Sequence, residues 1–437
     1  MTDVLKATIT GDAIIGSMAS IHAPGSGYVL LHHVMGETDS VRNVWSHVEG
    51  GMGSVSLAIS KAAREAGVLI LTNAEVSQLM IKDSGEVNGV LMVDGTRVHS
   101  SIVLSNATPY KTFTELVPQN VLPDDFIHAI KCSDYNSGVT KINIAIDKLP
   151  EFHCCKSSHL EMGPQHTATI HIGSESIEEI GSACQDAWNG LPSQRPVMEM
   201  TIPSSLDKTI SPPAIMNLIF YFSLLVFFEL LEDENQFCSA NVRKILQTVT
   251  LGHRQPDPKT NDGFITIPVK FIVPSHVRQL SFHDYLGSTI VGEMGSRVWL
   301  AKPCKHVVSL FTQYTPYKPS DGSWEDPKYR EAYEQKCFNL IGEYSPGFSS
   351  SVIGYDMLTP PDLEREFGLT GGNIFHGAMG LDSLFLMRPV KGWSNYRTPV
   401  RGLYLCGSGS HPGGGVTGAP GRNSAHVVLH DVKKQSC

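Results

Sequence analysis

The residues best suited to chemistry lie near the C-terminal end, in RGLYLCGSGSHPGGGVTGAPGRNSAHVVL, Arg401–Leu429. Gly402 to Cys406 reads as a short strand. Gly407 to Gly415 reads as a loop, and from Val416 the apolar spacing turns helical through Ala425, Val427 and Val428. A strand, a glycine-rich loop and a helix start present unpaired backbone N–H groups and the positive end of a helix dipole. Such a place suits a phosphate, or a flat ring carrying negative charge, because missing β-carbons let a ligand approach the backbone. One or two glycines suffice for a tight turn, whereas six fall between positions 407 and 418. No Gly-Lys-Ser/Thr follows, which excludes a Walker A loop, and Gly407-x-Gly409 lacks the third glycine of a dinucleotide fingerprint.

Other candidates carry less. The nine cysteines, at 132, 154, 155, 184, 238, 304, 337, 406 and 437, form no Cys-x-x-Cys and no zinc spacing, so a dithiol mechanism has no support. The His32-His33 pair reads as packing or hydrogen bonding rather than as metal ligands. The net charge of −9 is spread along the chain without a basic stripe, which argues against nucleic-acid binding. Residues 1–20 hold no long apolar stretch, and Lys6 is the only Lys or Arg before Arg42. That segment reads neither as a secretory signal nor as an Arg-rich presequence.

These residues need elements to position them. After the turn Glu49–Gly53, the positions Val55, Ala58, Ile59, Ala62 and Ala63 recur at helical spacing, and Gly67 stops the helix. Val68–Leu71 then reads as a buried strand. Val76–Ile81 and Val87–Val93 flank a turn as a β-hairpin, and Arg97–Leu104 reads as one more strand. Gly138–Ile146, Thr167–Ile172, Val197–Ile202 and Val307–Gln313 read as strands of one broad antiparallel sheet. Tyr329–Leu340 and Pro361–Phe367 are helical by pattern. Together these give an α/β chain with an α+β portion built on an antiparallel sheet. Residues 214–304 break the pattern and open with fifteen uncharged residues, AIMNLIFYFSLLVFF. That run is shorter than the roughly 18–20 apolar residues of a membrane span. The segment reads as a poorly ordered insertion, since Ser211-Pro212-Pro213 would otherwise join Lys305-His306-Val307 as a short strand connection.

The strand and HPGGGVTGAPGRNSA run resembles the C-terminal flavin motif of the phytoene desaturase/carotenoid isomerase-like branch of the amine-oxidase-type flavoproteins. Glu49–Gly67, Ser105–Pro109, Thr359–Ala378 and Pro24–Tyr28 resemble the same branch, and the likeness covers residues 8–213 and 305–432. It implies FAD as cofactor, hydride transfer to the flavin, and a small, apolar substrate. It divides the chain into a helical part of the substrate domain (1–48), an FAD-domain portion with the hairpin (49–110), the substrate domain (111–213 and 305–400), the insertion (214–304) and a flavin-contacting end (401–437). By the same likeness Gly407, Ser408, Gly414, Gly415, Val416 and Thr417 lie along the cofactor, and Val76 meets its adenine. Asn373, His376 and Arg388 face the flavin or substrate. Family members begin with a βαβ unit carrying Gly-x-Gly-x-x-Gly and an acid about twenty residues on. Here the early glycines, Gly11, Gly16, Gly25 and Gly27, are wrongly spaced for it. The expectation is therefore the remnant of a Rossmann-like FAD domain without its N-terminal βαβ unit, in an incomplete and inactive form of a mitochondrial oxidoreductase. Two other readings stand beside it. One is a non-catalytic protein that keeps the fold and works through mitochondrial protein partners; the other is a protein tethered to a membrane by Leu218–Leu231.

Overall fold

The computed structural model describes residues 2–38, 41–42, 46–118, 120–155, 162–211 and 306–435. The expectations for 214–304, including Leu218–Leu231, lie outside the described residues. Among the described residues no helix is long and apolar enough to cross a membrane.

A five-stranded, wholly antiparallel sheet forms the centre. Its strands are β5 (Thr140–Ile146), β6 (Ile170–Ile172), β7 (Met198–Thr201), β8 (His306–Thr312) and β9 (Val352–Leu358), in the spatial order β9-β5-β8-β7-β6. β5, β6 and β7 lie within expected strands, β8 is shifted one residue toward the N-terminus from the expected Val307–Gln313, and β9 falls in a stretch left unassigned. The strands on either side of residues 212–305, β7 and β8, are direct neighbours, with Thr312 opposite Met198 and Ser309 opposite Thr201. A short hairpin connection would therefore have sufficed between them, as Ser211–Pro213 and Lys305 suggest.

Alternation sorts the sheet's side chains by face. Ile142, Ile144, Ile146, Met198, Met200, Val308 and Leu310 all point to one side. There they pack on Tyr333, Cys337, Phe338 and Ile341 of helix α6 (Pro327–Tyr344). Each fully buried aliphatic side chain there contributes about 1.5–3 kcal/mol. The opposite face carries the polar groups His171, Glu199 and Lys141 with Phe311 between the last two, fixed by the register: His171 opposite Glu199, Glu199 opposite Phe311, and Phe311 opposite Lys141. Helix α1 (Asp3–Ile14) covers the His171 end, where Asp12 Oδ1 lies 3.4 Å from His171 Nε2. α1 also packs through Ala7 and Ile14 on Ile180, Ala183 and Ala187 of α5 (Ile177–Trp188).

The second assembly holds the hairpin. Strands β1 (Val76–Ile81), β2 (Val87–Met92) and β3 (Arg97–His99) form an antiparallel sheet, and β4 (Val103–Ser105) pairs in parallel with β10 (Leu403–Leu405). The stretch expected as one strand, 97–104, is thus broken at residues 100–102, where the Ser100 hydroxyl donates to the Ile102 carbonyl and accepts its N–H. Leu79, Val87, Leu403 and Leu405 share a core with Phe113 and with Phe126 and Ile130 of α4 (Asp124–Cys132).

One expectation fails. Val68–Leu71 follows helix α3 (Gly53–Glu65) as unpaired chain, and Val68, Leu69 and Leu71 are exposed. The composition is that of a buried strand, but no strand of the described residues lies beside it.

Candidate functional site

The glycine-rich segment takes the expected form of strand, loop and helix. β10 ends at Leu405, and the Cys406 N–H donates to the Ser105 carbonyl, extending the parallel pair by one bond. The loop then runs to helix α8 (Ala419–Gln435), which begins three residues beyond Val416. Arg397 and the Tyr404 hydroxyl both bind Asp431 of α8, and this pairing holds the Asp431 carboxyl down at about 2. The Asn423 amide donates to the Tyr396 hydroxyl, which donates to the His411 carbonyl. Strand, loop and helix are therefore one braced unit.

The glycines of the loop make room first of all for protein. A β-carbon on Gly407 would fall 2.6 Å from the Asn106 carbonyl oxygen, and one on Gly409 2.3 Å from Pro109. At Gly414 it would meet the Phe375 ring at 2.9 Å, and at Gly415 the His32 Nε2 at 3.1 Å. Gly413 and Gly415 also hold φ values of +113° and +108°, which side-chain-bearing residues rarely adopt. Only the segment Gly415–Gly418 is exposed; Gly407, Gly413 and Gly414 are buried. Val416 sits there with φ +57° and is 75% exposed, an unusual state for a β-branched residue. Thr417 Oγ1 accepts the Ala419 N–H and so caps the start of α8. Gly413-x-Gly415-x-x-Gly418 has the dinucleotide spacing, which counting from Gly407 overlooked. It leads into a helix as that fingerprint does, although it does not directly follow a strand.

Around this loop the structure gathers three of the sequence candidates. Arg388 is buried and gives its N–H groups to the carbonyls of Ser408, Ala378, Ser383 and Phe375. Among the described residues no carboxylate pairs with it, and burial pushes its pKa down to about 10. Asn373 accepts the N–H groups of Phe375 and Gly377 and donates to the Asn136 carbonyl, so it shapes the turn that carries His376. His376 itself has φ +60°, and its Nδ1 is buried without a hydrogen-bond partner. Burial, and secondarily the Arg388 charge, pushes it down to about 4, so the ring is neutral at physiological pH. The buried Nδ1 of His411 and the buried Oγ of Ser424 likewise have no partner. Val76 is placed elsewhere, at the start of β1 opposite Met92, and no described contact joins it to the loop.

Sequence reasoning missed who holds the loop. Helix α2 (Gly27–Val34) brings His32 to the Gly414 carbonyl at 2.6 Å, across 382 residues of sequence. The neighbouring His33 Nδ1 bonds the Val29 carbonyl at 2.7 Å. The Tyr28 ring lies 5.0 Å from that of Phe385, which lies 6.1 Å from His411. The histidine pair is therefore structural, as expected, but one of its members grips the candidate site.

The residues present fit an anionic or hydrogen-bonding ring system such as a flavin. Arg388 brings a buried positive charge with no counter-charge, and partnerless polar atoms lie at His376, His411 and Ser424. The exposed Gly415–Gly418 segment opens the start of α8 to the outside. A helix start with free backbone N–H groups beside a buried positive charge suits an anionic group.

Comparison with known proteins finds named relatives. No family model matches the chain. Over 434 residues, 99% of this chain, it is 41% identical to pyridine nucleotide-disulfide oxidoreductase domain-containing protein 2 of the rat, and it spans 59% of that relative's length. A limonene dehydrogenase polypeptide of Castellaniella defragrans is 31% identical over 127 residues, covering 29% of this chain and 23% of that protein. The lycopene-forming phytoene desaturase of Pantoea ananas is 31% identical over 121 residues, covering 26% of this chain and 22% of that protein. These three relatives are oxidoreductases by name. Among the described residues here, Cys132, Cys154, Cys155, Cys184, Cys337 and Cys406 are free.

Proposed function

We propose that this chain is the part of an FAD-dependent oxidoreductase that holds the flavin ring. The observation that carries the reading is the Gly407–Gly418 loop, braced on a parallel strand pair and capped by α8, with an uncompensated Arg388 charge behind it. Bound there, the flavin would supply the redox chemistry by accepting hydride. The chain's own residues orient it. Gly415, Val416 and Thr417 offer backbone N–H groups at the helix start, and Gly407, Ser408 and Gly414 line the inner loop. Arg388 holds the Ser408 carbonyl and supplies the positive field that favours a reduced, anionic ring. His376 offers a neutral imidazole with an open Nδ1. The proposed substrate is small and apolar, since limonene and phytoene, named in two relatives, are both hydrocarbons. A mitochondrial location and mitochondrial protein partners belong to the same proposal.

Titration of FAD into the purified chain, followed by quenching of flavin fluorescence, tests it. Gly415→Val puts a branched side chain at φ +108° against His32, and Thr417→Pro removes one N–H. Both should weaken binding at least tenfold, whereas Arg422→Ala, an exposed side-chain change on α8, should change it less than threefold. Equal affinities in all three variants would overturn the assignment.

A further inference from the structure

The polar face of the central sheet holds side chains that the flavin reading leaves unused. His171 in β6 and Glu199 in β7 are directly opposite one another, so both project from the same face with β-carbons about 4.5–5.5 Å apart. Asp12 reaches them from helix α1. One ligand atom from each of the three residues lies within 4.8 Å of the other two. Among the described residues no other three His, Cys, Asp or Glu side chains converge in this way.

Ion pairing alone accounts poorly for the group. Asp12 Oδ1 is 3.4 Å from His171 Nε2, longer than the roughly 2.7–2.9 Å of a charge-assisted hydrogen bond. The mostly buried Glu199 carboxylate receives one hydrogen bond among the described residues, a 3.5 Å contact from Gln313 Nε2 to its Oε1. Lys141, the next charge along the row, gives its ammonium to the Ser309 hydroxyl instead. Two carboxylates thus face one imidazole, which carries at most a single positive charge. Asp12 also stands in the last turn of α1, where the helix dipole is negative and no basic residue is present. A cation is what this arrangement lacks.

The geometry suits a metal ion. Ligand atoms held tetrahedrally about 2.0–2.2 Å from zinc lie roughly 3.3–3.6 Å apart, a range that includes the 3.4 Å between Asp12 and His171. The widest pair then has to close by about 1.5 Å at most, which a change of Glu or Asp rotamer covers. Gly11 makes the approach possible. A β-carbon there would fall 2.7 Å from His171 Nδ1, so glycine lets the imidazole lie against α1. The Asp12 side chain is 36% exposed, which gives the site a way in from solvent.

We propose that Asp12, His171 and Glu199 bind a zinc ion, with water as the fourth ligand. One imidazole and two carboxylates are nitrogen and oxygen ligands of the kind zinc takes, and three protein ligands leave one position for water. The ion neutralises the two acids and fixes the end of α1 on the sheet. From there the chain runs to Gly16, whose N–H donates to Gln313 Oε1 and whose β-carbon position faces Ile374 and Phe375. Gly414 of the glycine loop lies against the same Phe375, so the metal steadies the wall behind the loop.

The test is calorimetric titration of zinc into the chelator-treated chain, beside X-ray absorption of the zinc-loaded protein. One equivalent is expected, with nitrogen and oxygen at about 2.0–2.2 Å and no sulfur near roughly 2.3 Å. Asp12→Asn, His171→Gln and Glu199→Gln should each weaken binding at least about tenfold. Zinc should raise the Tm of the parent by several degrees and leave that of the three variants unchanged. Glu199→Gln removes a charge that is costly to bury, so in EDTA it should be at least as stable as the parent. That separates lost binding from lost fold. His128 and Cys132, 3.5 Å apart on α4, are the competing surface pair, and the double variant His128→Gln/Cys132→Ser should keep the zinc equivalent. Absence of zinc binding, a sulfur ligand, affinity unchanged in the three variants, loss of zinc in the double variant, or an equal Tm rise from magnesium, which takes oxygen ligands, would each overturn the proposal. The titration uses no flavin, so the metal site and the cofactor reading fail separately.

Discussion

Arg388→Met is the sharpest probe of how the loop is held. The guanidinium reaches the carbonyls of Phe375, Ala378, Ser383 and Ser408, tying the turn around His376 to the inner part of the glycine loop. Charge-assisted hydrogen bonds contribute roughly 1.5–3 kcal/mol each, so four acceptors give about 6–12 kcal/mol before the charge's own burial is set against them. That burial lowers the pKa to about 10, and at about 1.36 kcal/mol per unit it costs about 3 kcal/mol. The difference is an upper bound because the loops can relax, and breaking a buried charged contact ordinarily costs about 3–5 kcal/mol. We therefore expect Arg388→Met to lose about 3–5 kcal/mol in urea unfolding. Hydrogen exchange should accelerate at residues 375–378 and 407–410 before any other segment. Arg388→Lys keeps the charge but has three donors on one nitrogen, and should recover less than half of the loss. A loss below about 1 kcal/mol, or exchange unchanged in both segments, would refute the clamp.

Two further predictions concern the polar row on the sheet. Burial, only partly offset by Glu199, lowers Lys141 from 10.5 to about 8, so between those values the unfolded chain binds more protons and stability rises with pH. Lys141→Met should therefore stabilise by up to about 3 kcal/mol at pH 7, with the gain fading between pH 8 and 10.5; a gain that does not vary with pH would count against this. Burial raises Glu199 from 4.5 to about 7, so there the native state binds more protons and stability falls as pH rises through that window. Glu199→Gln should flatten that slope and leave the protein more stable at pH 7.5 by up to about 3 kcal/mol, measured by urea unfolding at half-unit pH steps. In the hairpin, a β-carbon on Gly89 would fall 2.0 Å from the Val98 carbonyl oxygen, so Gly89→Ala should lower the melting temperature by several degrees, and an unchanged value would contradict the β2–β3 register.

What was legible in the sequence was local. Ile142, Ile144 and Ile146 alternate with Lys141, Asn143 and Ala145, and that period alone sets β5 and the face it buries. The same holds for the strand, loop and helix of residues 402–435, since glycine content and a change of period are short-range signals. Partners were not legible. The glycine loop was open to two readings, approach by a ligand or approach by protein, and only the positions of Asn106, Pro109, Phe375 and His32 show that the second occupies most of it. Arg388 is one basic residue among many until four carbonyls are seen to converge on it. Val68–Leu71 failed for a related reason: composition reports what a segment is built to pack against, and the described residues put nothing there. The loop that would hold a flavin is reached through β10, whose parallel pairing with β4 and burial against Leu79, Val87 and Phe113 fix where the loop starts, so the candidate site depends on long-range packing that no local pattern reports.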